Sequence, residues 1–84
     1  MKITVRLFAS YREIVGQIRM DLDVAEGSTA GDVLETFVAQ FPRLGDLAST
    51  TLLAVNREYA AAETQLREGD EVAFVPPVSG GIGG

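Results

Sequence analysis

The final seven residues, Val78-Ser79-Gly80-Gly81-Ile82-Gly83-Gly84, contain four glycines and close on a carboxylate. Pro76-Pro77 stand just before them. Proline donates no ladder hydrogen bond, so a sheet must stop there and a tail begin. Glycine gives that tail a thin cross-section and little conformational preference, and a partner can grip its backbone with no Cβ in the way. Such a tail can thread a narrow channel and carry its last carboxylate into another protein. Glycine-rich ends are also often frayed chain and nothing more. The proline stop followed by Gly-Gly at the carboxylate sets this one apart.

An α-carboxylate has a pKa of about 3.5, is ionised at neutral pH, and is a poor acyl electrophile. It must be activated first, and adenylation by ATP is the usual route. A sulfur nucleophile can then displace AMP and leave a thiocarboxylate, which a partner's pocket would shield from hydrolysis. This chemistry asks for no Cys or His on the carrier, and the chain has neither. Their absence removes disulfides, thiolate catalysis, almost every zinc site and the usual neutral-pH acid–base group. No metal site and no bound cofactor are expected. Glu13, Asp21, Asp23, Glu68, Asp70 and Glu71 read as solvated faces and turns. Thr29-Ala30-Gly31-Asp32 lacks the lysine and the spacing of a phosphate loop.

The elements that must hold the tail fit one domain, residues 1–77, with 78–84 as the tail. At 84 residues the chain is a single small domain with little room for a deep cleft. Residues 2–9 alternate, with Ile3, Val5, Leu7 and Ala9 on a core face. Ser10 and Glu13 have the spacing of a capping box for a short helix that stops at Gly16. Ile18, Met20, Leu22 and Val24 alternate with Arg19, Asp21 and Asp23 in a second strand. Ser28 or Thr29 caps a longer helix with Asp32 in its first turn. Val33, Leu34, Phe37, Val38 and Phe41 form its apolar stripe, and Pro42 ends it. Residues 43–50 read as a loop anchored by Leu44 and Leu47. Leu52–Asn56 reads as a strand, 57–65 as irregular, Glu68-Gly69-Asp70 as a turn, and Glu71–Val75 as the last strand. The order defines an α+β fold, with one main helix covering one face of a mixed sheet.

Two apolar side chains point away from that core. Phe8 lies opposite Ile3, Val5 and Leu7, and Val75 lies opposite Val72 and Phe74. If the first and last strands are neighbours, Phe8 and Val75 share the uncovered face near the start of the tail, with Tyr59 close enough to join them. An exposed apolar cluster there is a candidate docking patch, unless a loop covers it.

The net charge of −5 repels phosphate backbones, so no nucleic acid is expected as partner. It favours a partner with a basic face, or serves solubility alone. No secretory leader opens the chain and no apolar run is long enough to span a bilayer, which makes a cytoplasmic protein the expectation.

Several runs together resemble the small-subunit family of molybdopterin synthase, sulfur carriers of the ubiquitin-like group. They are Leu7-Phe8-Ala9, Arg12-Glu13-Ile14-Val15-Gly16, Leu53-Ala54-Val55-Asn56, and the stretch from Leu66 through Gly-Asp-Glu-Val-Ala-Phe to Pro-Pro-Val-Ser-Gly-Gly at Gly81. The resemblance implies a ubiquitin-like β-grasp fold, with the last strand parallel to the first. It implies a role in molybdenum cofactor biosynthesis as a non-catalytic subunit of a heterotetramer. An E1-like adenylyltransferase would spend ATP on the terminal glycine and a persulfide donor would supply sulfur. The thiocarboxylate would then pass sulfur to cyclic pyranopterin monophosphate inside the large subunit. Family members dock through positions that fall here on Phe8, Tyr59 and Val75. The family pattern ends at Gly80-Gly81, whereas this chain continues through Ile82 and Gly83 to Gly84. The acyl site is therefore expected at Gly84, or at Gly81 if the tail is trimmed. A sister carrier for thiamine, cysteine or tRNA thiolation, or a ubiquitin-like modifier, shares the same tail chemistry.

Overall fold

The computed structural model of the chain describes residues 1–76. Alternation builds the first strand, β1 (Lys2–Leu7), whose Ile3, Val5 and Leu7 are buried. A short helix α1 (Ala9–Val15) leads to β2 (Arg19–Asp23), which runs antiparallel to β1. The main helix α2 (Ala30–Gln40) follows, then a 3-10 turn (Pro42–Leu44) and one helical turn, α3 (Gly45–Ala48). Strands β3 (Leu52–Val55), β4 (Glu58–Ala60) and β5 (Glu71–Val75) complete a five-stranded sheet of order β2-β1-β5-β3-β4. The last strand lies parallel to the first, pairing Thr4 with Glu71 and Leu7 with Phe74. The other neighbouring pairs are antiparallel, so the sheet is mixed, as expected.

The N-terminus of α2 is fixed by a reciprocal capping box. Asp32 N–H donates to Thr29 Oγ1 at 3.1 Å, and Thr29 N–H donates to Asp32 Oδ2 at 3.0 Å. Val33 and Phe37 then press onto Ile3, Val5, Val72 and Phe74, with Leu34, Val38 and Phe41 packed around them. Phe74 is the hub. The Phe37 ring meets it edge-on at 5.2 Å and the Tyr11 ring lies tilted at 5.4 Å. The segment before β5 is pinned to the start of α2, where Ala30 and Gly31 N–H donate to Thr64 and Ala62 carbonyls, each at 2.9 Å. A Cβ on Gly31 would stand 2.9 Å from the Ala62 Cβ, so only glycine fits that contact.

Five expectations need correcting. Ala9 is not on the core face but is exposed at the start of α1, with φ of 48°. The Ser10–Glu13 capping box does not form. Phe8, in extended conformation, is the N-cap, with no side-chain cap bond. The phase is set by Tyr11, which must be buried against Phe74 and whose N–H reaches the Phe8 carbonyl at 3.0 Å. The far end behaves as expected: Gly16, at φ 88°, closes α1 by donating to the Arg12 carbonyl. Ile18 does not face the core; it sits at the sheet edge with 65% of its surface exposed. Residues 43–50 are largely helical rather than loop, because Leu44 and Leu47 both turn inward, and the stretch expected to be irregular contains β4.

Among the described residues no helix is long and apolar enough to cross a membrane.

Candidate functional site

One face of the sheet is covered by the helices; the other is open. The strand pairings order its residues into rows. Arg6, Ala73, Ala54 and Tyr59 form one row across β1, β5, β3 and β4. Leu52 and Val75 form the next, towards the end of β5. Phe8 follows directly on β1. The residues around Ala54 and Ala73 outline a hollow of about 370 Å³, walled by Arg6, Phe8, Arg57, Tyr59, Glu71 and Val75. The structure thus brings Phe8, Tyr59 and Val75 to one place. Phe8 is 40% exposed and Tyr59 74% exposed, values that leave apolar rings facing water.

Small residues make the hollow. Ala54 and Ala73 sit at its floor, where larger side chains would fill it. Tyr59 is presented by a two-residue connection from β3 to β4, Asn56-Arg57, whose φ values of 52° and 72° are both positive, as in a type I′ hairpin turn. Asn56 ties this turn to β5: its N–H donates to the Glu71 carbonyl, and its Oδ1 accepts from Glu71 N–H at 3.0 Å. The Glu71 carboxylate lies between two cations, 3.7 Å from Arg6 and 3.6 Å from Arg57. Arg6 also lies over the Phe8 ring, 5.6 Å from its centroid. The open face therefore has an apolar patch bordered by an ion-pair triad. Among the described residues, nothing on it resembles a catalytic set.

Sequence reasoning missed Arg6, Arg57 and Glu71, whose grouping depends on strand order and on the hairpin. It also missed Leu52, which is 50% exposed and stands opposite Val75. Leu52–Val55 is apolar throughout and shows no alternation; only the register with β5 sets Leu52 on the open face, two residues from Ala54. Gly80, Gly81, Gly83 and Gly84 lie outside the described residues. Strand β5 delivers the chain to Pro76 at the Phe8–Val75 end of the hollow.

A mixed sheet with the first and last strands parallel at its centre and one main helix across it defines a ubiquitin-like β-grasp protein. Its backbone superimposes on SAMP1, the small archaeal modifier protein 1 of Haloferax volcanii, with a TM-score of 0.80 and 34% identity over 96% of this chain and 100% of that one. Residues 5–81 match the ThiS family, and the chain belongs to that family. It is similar to the molybdopterin synthase sulfur carrier subunit of Arabidopsis thaliana, with 38% identity over 96% of this chain and 84% of that protein. The subunit of the same name from Chlamydomonas reinhardtii is 36% identical over 96% of this chain and 100% of its own length.

Proposed function

We propose that the chain is a sulfur carrier in molybdenum cofactor biosynthesis. The observation that carries this reading is near-full-length similarity to molybdopterin synthase sulfur carrier subunits, joined to membership of the ThiS family. The tail supplies the chemistry. An E1-like enzyme joins the terminal glycine carboxylate to AMP, with pyrophosphate leaving ATP. A persulfide sulfur then attacks the acyl carbon and AMP leaves. A second thiol, on the donor or the activating enzyme, then attacks the donor-side sulfur of this acyl disulfide; a disulfide forms, and the thiocarboxylate leaves to give its sulfur to cyclic pyranopterin monophosphate within the large subunit. The carrier itself binds no cofactor, and ATP is consumed by the activating enzyme. The pathway places it in the cytoplasm.

The open face supports a docking role for Phe8, Tyr59 and Val75, because Phe8 and Tyr59 are exposed, Val75 is half-buried beside them in one hollow, and that hollow lies where β5 ends. A partner seated there receives the tail directly. Gly84 is the acyl site of the chain as it stands. The family match ends at Gly81, which makes Gly81 the site if Ile82-Gly83-Gly84 are removed.

The test is the intact mass of the protein after incubation with its E1-like enzyme, ATP and a sulfur donor, followed by fragmentation of the C-terminal peptide. Replacement of one oxygen by sulfur on Gly84 or Gly81 is expected. An unchanged mass with active enzyme rejects the carrier reading. Similarity to a protein named as a modifier favours one second reading, in which a lysine amine attacks the acyl adenylate. It requires isopeptide-linked conjugates carrying this chain in cell extracts.

A further inference from the structure

The chain is acidic, yet more than half of its few cations are gathered at one place. Of 7 basic residues, Arg6, Arg12, Arg19 and Arg57 line either the hollow beside Phe8 or a smaller one next to it. The smaller hollow, about 260 Å³, lies between Arg6, Phe8, Arg12, Ile18 and Arg19. Arg6 and Phe8 border both, so the two are lobes of one surface. Among the described residues that line them, Glu71 is the one acid.

Three of these arginines occupy positions that the fold alone disfavours. Along β1 and β2, Lys2 faces Asp23, and Thr4 donates to Asp21 across the strands at 2.9 Å. The next pair is Arg6 opposite Arg19. Like charges directly opposed destabilise a sheet, and the two preceding pairs show how this ladder is otherwise matched. Arg57 has a φ of 72° in the second position of the β3–β4 connection, where glycine is favoured. Ile18 adds a third anomaly, a branched apolar side chain 65% exposed among cations. Rule-breaking of this kind concentrates at functional surfaces.

We propose that this arginine-rimmed lobe extends the docking face and takes an acidic surface of the partner protein. A partner apolar side chain lies against Ile18 and Phe8, and partner carboxylates stand opposite Arg12, Arg19 and Arg57. The inference rests on the carrier reading. The sign of the local charge, not the net charge, then decides the partner's complement. The acidic remainder of the chain is repelled by the same partner, so the encounter is oriented with the β5 end forward.

Titration calorimetry of the full chain against the large subunit of molybdopterin synthase from the same organism tests this, at about 0.05 M and about 0.5 M salt. Arg12→Glu and Arg19→Glu are each expected to raise Kd about tenfold or more at low salt, and far less at high salt. Ile18→Ala is expected to raise Kd at both. Arg19→Glu places opposite charges across β1 and β2, so its melting temperature is expected to hold or rise while binding falls. Phe8→Ala is the control for the carrier reading and is expected to weaken binding at either salt. Unchanged or tighter binding by the arginine variants, with Phe8→Ala still weakened, overturns the acidic-partner proposal alone. No binding by the unaltered chain overturns the proposal together with the choice of partner.

Discussion

Tyr11 is the buried residue with the most to lose at alkaline pH. It is fully enclosed, touches Phe74, and shares a hydrogen bond with Thr51 Oγ1. Burial pushes its phenol above the ordinary value of 10.0, and the Thr51 hydrogen bond offsets part of that rise. The folded state thus favours the neutral phenol more than the unfolded chain does. Stability from this source is complete below pH 10 and is lost as pH climbs through the folded-state pKa. Tyr11→Phe is expected to cost about 1 kcal/mol at neutral pH, because the Tyr11–Thr51 hydrogen bond is lost while Thr51 Oγ1 keeps its bond to the Leu47 carbonyl. It should also flatten the alkaline fall in stability, and urea titrations at neutral and alkaline pH read both effects. The role of Tyr11 was not legible in the sequence. Its phase on α1 follows from Phe74, a residue from the other end of the chain. Phe8, Tyr59 and Val75 were legible as a group, because alternation fixes the face on which Phe8 and Val75 stand. Ile18 was not, because alternation fixes direction and says nothing of what covers a side chain.

At the scale of elements, the strongest sequence signals were the stripe of α2 and the alternation of β1 and β5, and these form as expected. Strand β4 was missed because Glu58-Tyr59-Ala60 is three residues long, at a sheet edge, with no buried alternation to read. Its turn offers a direct test. Arg57→Gly relieves a side chain held at positive φ and is expected to raise stability by about 0.5–1 kcal/mol, net of the looser unfolded chain. The same change removes a cation from the docking rim, so calorimetry against the partner should show weaker binding by a more stable protein. The junction of α2 with residues 61–66 gives the opposite case. Gly31→Ala forces a Cβ to within 2.9 Å of Ala62 and should cost about 1–3 kcal/mol by denaturant unfolding. A loss well under that range means that the segment yields easily.

For the molecule as a whole, the described core and the proposed reactive glycine lie apart in sequence. Among the described residues, every member of the buried cluster falls between Ile3 and Phe74. Deleting residues 78–84 is therefore expected to leave the melting temperature within about 2 °C of the full chain, while abolishing sulfur transfer. Scanning calorimetry and the mass assay measure the two properties on one sample. This separation explains why the fold class could be read from patterning while the chemistry had to be read from the tail. The core is specified by hydrophobic periodicity spread over the chain, and the tail by a few residues with no periodicity.

The central pairing of β1 with β5 also governs how the protein comes into being. The strand made first can complete its hydrogen bonds only with the strand made last. A ribosome must therefore synthesise everything from β1 through β5 before the sheet can close, and a product that stops short of β5 lacks both Val72 and Phe74 from its core. Folding becomes a check on translation. Prematurely ended chains stay open to proteolysis, and those that pass into the folded pool have been read through to the threshold of the tail.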